Sequence, residues 1–252
     1  MSQDTKNKVV IVTGASTGIG FAIAQFFINK GSQVVMNASH PDRLKKAYMS
    51  LGAPKNVTYV AGDISLAATG KKLARMALEK YGRIDVLVNN AGVFAPKPFL
   101  EVEETDLEHF WKINLKGTYF ATQAVVPQMV KQNGGAIINI GTVLVDHAIA
   151  GFPASAPVVS KGGIHALTKQ LAAEFGKDNI KVNTIAPGII RSPLQGKIGV
   201  ENADSLAGLH LLNRVGESSE IAKTVYHLAQ SDFITGEIIN VDGGHVAGHV
   251  FG

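Results

Sequence analysis

Val9-Val10-Ile11-Val12-Thr13-Gly14-Ala15-Ser16-Thr17-Gly18-Ile19-Gly20 is the stretch on which the fold turns. Four β-branched aliphatic residues in succession suit a strand buried on both faces, as in a parallel sheet. Glycines follow at 14, 18 and 20, and then an apolar-periodic helix from Phe21 to Ile28. Such glycines let the backbone turn tightly and approach a pyrophosphate, whose charge the amides and dipole of the following helix stabilise. The spacing is G-x-x-x-G-x-G, not the more widespread G-x-G-x-x-G. A glycine trio by itself can also be merely a tight turn; its place after the first strand gives it meaning.

Working outward, Val9 to Val12, Gln33 to Met36, Val57 to Val60, Ile84 to Val88, Ala136 to Ile140, Lys181 to Ile185 and Glu237 to Val241 read as seven strands. Helical patterns fill the intervals, which predicts an α/β fold: one Rossmann-type doubly wound parallel sheet with helices on both faces. Ligands on such a sheet bind beyond the carboxyl ends of the strands. With 252 residues and 46% hydrophobic content, residues 1–252 can bury a full core and read as a single domain. The loosest stretch, 191–214, lies between a Pro-Gly turn and a helix and is expected to form a substrate loop. Zero cysteines exclude disulfides and thiolate zinc sites and suit a reducing compartment. Met1 to Lys8 is polar, and no run approaches the roughly 18 apolar residues of a membrane span, so a cytoplasmic protein without a membrane partner is expected. The net charge of +4 comes from scattered Lys and Arg, which argues for a small-molecule partner and against nucleic acid.

A family resemblance rests on residues spread along nearly the whole chain: the T-G-A-S-T-G-I-G loop, Asp63, Asn89-Asn90-Ala91-Gly92, Asn114 in K-I-N-L-K-G, Ser160-Lys161, Pro187-Gly188 and I-T-G-E-I-I-N-V-D-G-G from Ile234 to Gly244. In this order they resemble the short-chain dehydrogenase/reductase family. The resemblance implies a nicotinamide dinucleotide held by Gly14, Ser16, Thr17, Gly18, Ile19 and Gly20, by Asp63 and Ile64 near the adenine, and by Asn90, Ala91 and Gly92 along the cleft. It further implies contacts from Lys161, and from Pro187, Gly188 and Ile190 near the nicotinamide. Taken singly, Asp63 could cap the next helix and Asn90 could stabilise a turn. The family often forms tetramers, so a homotetramer or homodimer is expected.

The end of the second strand bears on the choice of cofactor. NAD-specific relatives place a carboxylate there against the ribose 2′-hydroxyl, but this chain reads Asn37-Ala38-Ser39-His40-Pro41-Asp42-Arg43. No acid stands near Ala38. Ser39 can donate a hydrogen bond, and His40 and Arg43 can bring positive charge to a 2′-phosphate, so NADP(H) is favoured over NAD(H). The plainer reading is that Ser39 to Asp42 cap a helix starting near Arg43.

The resemblance breaks at the catalytic centre. The family moves hydride between nicotinamide and a carbonyl carbon while a tyrosine, four residues before the lysine, gives a proton to the oxygen. Lys161 and Asn114 match, and Thr142 keeps the hydroxyl of the usual serine, but Pro157 holds the tyrosine's place. Proline suits the first turn of a helix, with Ser155 as part of the cap. None of the five tyrosines (48, 59, 81, 119 and 226) lies between the fifth strand and Lys161; Tyr119 alone is in the neighbourhood.

The interval from Thr142 to Pro157 is about two residues longer than the family's usual spacing and contains Asp146-His147. Histidine is the commonest general acid, so His147 is a candidate donor, against the plain reading of a solvated loop residue. No metal is expected at His245 and His249, in a glycine-rich tail without an acidic partner. Gly162 and Gly163 weaken their helix and are expected to permit close packing, as with another subunit, and Phe94, Phe152 and Leu194 are expected to form an apolar pocket wall. The leading expectation is an NADP(H)-dependent oxidoreductase acting on a small carbonyl or quinone-like substrate with altered proton delivery. The competing one is a non-catalytic NADP(H)-binding sensor or inactive oligomer partner.

Overall fold

The structure, a computed structural model, describes residues 7–193, 196 and 202–248. Its main sheet contains β1 (Val9–Val12), β2 (Gln33–Ala38), β3 (Val57–Ala61), β4 (Val86–Asn89), β5 (Gly135–Ile140), β6 (Ile180–Pro187) and, after two short strands described below, β9 (Ile238–Val241). All pairings are parallel, in the order β3-β2-β1-β4-β5-β6-β9. All seven expected strands are present. The fourth begins later than its apolar run, because Ile84 and Asp85 lead into it. There the Asp85 carboxylate accepts the Val9 amide at 2.8 Å and pairs with Arg83.

Between the strands lie α1 (Gly18–Asn29), α2 (Pro41–Ser50), α3 (Ala67–Tyr81), α4 (Glu104–Phe110), α5 (Gly117–Lys131), α6 (Ser155–Phe175) and α7 (Ser218–Gln230). Side-chain alternation divides the core in two. Val10 and Val12 pack with Ile23 and Phe27 of α1 and with Val225 and Leu228 of α7. Val9 and Ile11 pack with Leu73 and Ala77 of α3 and with Val125 and Met129 of α5. Strands covered on both faces must be apolar throughout, which is why the sequence shows unbroken Val/Ile runs there.

A chain of buried hydrogen bonds crosses the second half of the sheet. Asn89 Nδ2 donates to Thr122 Oγ1 and to Asn139 Oδ1, each at 2.9 Å. Asn139 Nδ2 donates to Thr168 Oγ1 at 2.9 Å, and the Thr168 and Thr184 hydroxyls meet at 2.7 Å. These bonds pin α5 and α6 to β4, β5 and β6. The two short strands, β7 (Ile190–Arg191) and β8 (Gly216–Glu217), pair with each other in parallel and were not anticipated from the sequence. They bracket the 191–214 segment.

Candidate functional site

From β1 the chain order runs outward through β2 and β3, and from β4 in the opposite direction. The crevice above the ends of β1 and β4 is therefore the switch point where this class of sheet takes its ligand. Gly14 (φ +66°) and Gly18 (φ +55°) adopt left-handed backbone that suits glycine. A Cβ on Gly14 would lie 2.8 Å from Asn90 Nδ2, and one on Gly20 would overlap Asn90 Nδ2 and the Gly14 carbonyl. Asn90 is the buttress of this loop. Its Nδ2 donates to the Thr13 carbonyl at 2.9 Å and the Gly14 carbonyl at 3.3 Å, while Thr13 Oγ1 accepts the Asn90 and Ala91 amides at 3.0 Å each. The side chain of Thr17, at the head of α1, makes no capping bond, so the first-turn amides face the loop without a side-chain acceptor. Ser16 is half-buried and Ile19 packs on the core. A Cβ at Gly18 would touch Ser192 Cβ at 3.4 Å and Pro193 Cδ at 3.6 Å, so the 191–214 segment begins against this turn.

Ser39, His40 and Arg43 are exposed at the carboxyl end of β2. The capping alternative is corrected: α2 starts at Pro41, and His40 precedes it without a side-chain cap. Asp63 does not cap α3, whose preceding residue is Leu66; it accepts the Ser65 amide at 2.9 Å in a local turn. Ile64 and Ile190 are each 6% exposed. Ile64 packs at Gly117 and Ile190 at Gly216, so neither buried side chain is open to a ligand. Pro187 ends β6, and the Gly188 amide donates to the Val241 carbonyl at 3.1 Å.

The central layer is built on α6 and on a π-helical stretch, Trp111–Lys116, that joins α4 to α5. Asn114 sits on this stretch, fully buried. Its Oδ1 accepts the Val93 amide at 2.8 Å, and its Nδ2 donates to the Val93 carbonyl at 3.0 Å and to Ser160 Oγ at 2.9 Å. Ser160 Oγ in turn donates to the Pro157 carbonyl at 2.7 Å. Lys161 Nζ donates to the Ile140 carbonyl at 2.6 Å. A Cβ on Gly92 would lie 3.1 Å from Asn114 Oδ1 and 3.2 Å from Lys161 Nζ, so Gly92, Asn114 and Lys161 converge on one spot. No carboxylate pairs with Lys161 among the described residues, and burial pushes it down to about 8. Thr142 Oγ1 accepts the Leu144 amide at 3.3 Å, which leaves its hydroxyl hydrogen to donate elsewhere.

Pro157 is buried in the first turn of α6, four residues before Lys161 and hence on the same face. Ser155 does not cap that helix: the preceding residue is Ala154, and no side chain caps it. The tyrosines are engaged elsewhere. Tyr48 packs on Tyr59, Tyr226 on Phe26 and Phe27, and the half-exposed Tyr119 meets Phe120 edge-on, while burial pushes Tyr81, at the end of α3, up to about 12. Gly163 does permit close packing, but within the chain, where its Cβ would sit 2.7 Å from Leu115 of the π stretch.

Phe94 and Phe152 stack at 6.0 Å between centroids, which brings together two of the three expected wall residues; Leu194 lies outside the described residues. His147 is half-buried, with its ring against His245. The sequence reading missed His210 and took His245 for part of a loose tail, although both are buried. Nothing local marks them, because their contact joins segments far apart in the chain. Among the described residues no group of three His, Cys, Asp or Glu side chains could hold a metal, and His249 lies outside them.

The glycine cradle, the helix without a side-chain cap and the buried lysine without a carboxylate partner among the described residues fit a dinucleotide, and the comparisons with known proteins agree. Residues 14–246 match the family model described as enoyl-(acyl carrier protein) reductase. The 3-oxoacyl-[acyl-carrier-protein] reductase FabG of Thermotoga maritima is 34% identical over 245 residues, which span 96% of this chain and 98% of that protein. The L-rhamnose-1-dehydrogenase of Scheffersomyces stipitis is 36% identical, with 94% and 95% covered. Among solved structures, ligand-free aldohexose dehydrogenase of Thermoplasma acidophilum superposes with a TM-score of 0.87 at 30% identity, covering 100% of this chain and 99% of that one. The chain belongs to the short-chain dehydrogenase/reductase family, whose members generally bind NAD(P)(H). It is an oxidoreductase.

Proposed function

We propose that this chain is an NADP(H)-dependent oxidoreductase that transfers hydride to or from a small carbonyl or quinone-like substrate, with proton delivery altered by proline at 157. The observation that carries this reading is the convergence of Gly92, Asn114 and Lys161 beside a tyrosine position that has no ionisable group. The dinucleotide, when bound, supplies or accepts the hydride. Gly14, Ser16, Thr17, Gly18, Ile19 and Gly20 hold its pyrophosphate with the α1 amides. Ser39, His40 and Arg43 take the 2′-phosphate, and Asp63 with the Ile64 backbone meets the adenine. Asn90, Ala91 and Gly92 line the cleft, Lys161 holds the nicotinamide ribose, and the Pro187, Gly188 and Ile190 backbone orients the ring.

At the reacting carbon, Thr142 donates its hydroxyl hydrogen to the carbonyl oxygen. His147, from the same loop, delivers the proton, and Phe94 and Phe152 keep water from the apolar side. Asn114 fixes the backbone of Val93 and helps hold a relay water. The reading treats residues 1–252 as a single domain, 191–214 as the substrate loop, and the protein as a cytoplasmic homotetramer or homodimer. The described residues contain no helix long and apolar enough to cross a membrane.

Fluorescence titration tests the cofactor assignment. NADPH is expected to bind more tightly than NADH, and Ser39→Asp to reverse the order by repelling the 2′-phosphate. Equal affinities in the unaltered chain would overturn it.

A further inference from the structure

Three histidines from distant parts of the chain meet near the carboxyl end of the sheet. His147 belongs to the loop after β5, His210 to the segment before β8 and His245 to the turn after β9. The His147 and His245 rings stand edge to face, 5.2 Å apart at 89°, and the His245 and His210 rings are 5.7 Å apart at 59°. His245 and His210 are 1% and 2% exposed, whereas His147 is only half-buried. Two buried rings thus back a third that is more open.

The innermost ring is tied to the backbone. His210 Nε2 accepts the Ile189 amide at 3.1 Å, which requires a lone pair on that nitrogen and places the ring hydrogen on Nδ1. Two glycines make room for it: a Cβ on Gly188 would lie 2.9 Å from His210 Nε2, and one on Gly243 would lie 3.2 Å from His210 Cβ. Ile189 directly follows the Pro187-Gly188 turn to which the nicotinamide end is assigned above.

We propose that His245 and His210 are positioning residues for proton delivery: His245 seats the His147 ring, and His210 holds that pair in register with the Pro187–Ile189 backbone. The inference rests on the reading of His147 as donor. In reduction, a protonated His147 gives its N–H proton to the substrate oxygen as hydride reaches the carbon, and the ring is left neutral. In oxidation the neutral ring takes the hydroxyl proton as hydride leaves. An edge-to-face contact fixes a ring through shape and quadrupole, so His245 acts by orientation and needs no proton of its own.

The test uses the full chain with 15N-labelled histidine, read by NMR, beside steady-state kinetics and NADPH titration. His245→Ala is expected to shift the His147 ring resonances and to lower kcat by about 10-fold or more with the KM for NADPH unchanged. His245→Phe, which restores a ring edge, is expected to recover most of that loss. His210→Gln can still accept the Ile189 amide and is expected to leave the His147 resonances in place, while His210→Leu shifts them. Should the alanine variant fail to fold, His245→Met is closer in volume and takes its part.

His147 resonances that are identical in the parent, the His245→Ala or His245→Met variant, and His210→Leu would overturn the inference even if no substrate had been found. The NMR readout does not depend on turnover. Shifted resonances with a kinetically silent His147→Ala would instead sink the donor reading, and the inference with it.

Discussion

Proline 157 and lysine 161 share one face of α6 but bring opposite chemistry to it, one without a titratable proton and the other with a buried amine. If His147 supplies the missing proton, His147→Ala lowers turnover by roughly 10²-fold or more and Pro157→Tyr adds little, both measured as kcat on a responsive carbonyl. The reverse pattern, a silent His147→Ala and a faster Pro157→Tyr, would rule that donor out. Lys161 gives a second expectation. Burial holds it at about 8, while an unfolded lysine titrates near ~10.4, so within that window the unfolded chain binds the extra proton. The stability contributed by this group is therefore lowest below pH 8 and increases as pH rises from 8 to about 10.4. Cofactor binding is expected to have the opposite sign if, as proposed above, the charged amine holds the nicotinamide ribose. NADPH affinity is expected to fall as pH rises above 8 and to stay level in Lys161→Met.

At the scale of elements, the buried ladder from Asn89 to Thr184 decides where α5 and α6 lie and therefore where Asn114 and Lys161 meet. Thr168→Val leaves Asn139 Nδ2 without its 2.9 Å acceptor and Thr184 without its 2.7 Å partner. Stranding buried polar groups in this way costs about 1–3 kcal/mol each, and urea unfolding measures the total. The ladder's residues could not be paired from sequence, although the strands holding three of them could be found. Continuous Val/Ile runs and a glycine loop are local signals, and they located seven strands and the tight turn after β1. The two-residue strands at Ile190 and Gly216 have no periodicity to detect. The π-helical stretch around Asn114 keeps an ordinary helical composition, Trp111-Lys112-Ile113-Asn114-Leu115-Lys116, so its wider turn shows only in the fold. Such stretches often occur at functional sites, and this one lets a single amide clasp Val93 and Ser160 together.

At the scale of the whole molecule, the strand order gathers chemistry from both halves of the chain at one crevice. The turn after β1 supplies the glycine loop, the turn after β4 buttresses it, and β5, β6 and β9 bring Thr142, Pro187 and His245 to the same end of the sheet. Motifs that read as separate signatures in sequence are thus neighbours in space, and the three-histidine contact is a neighbour relation that no signature announces.

Ser192 and Pro193 rest against Gly18, so the start of the 191–214 segment sits at the mouth of the glycine turn. A dinucleotide held at that turn, as proposed above, would meet Ser192 and Pro193, and a compulsory sequence of arrivals is then expected: cofactor leads and substrate follows. Product inhibition is expected to show NADP⁺ competitive against NADPH, and the reduced product non-competitive against it. A substrate analogue that bound the bare protein as tightly as the binary complex would mean that the mouth is not a gate and that either ligand can enter first.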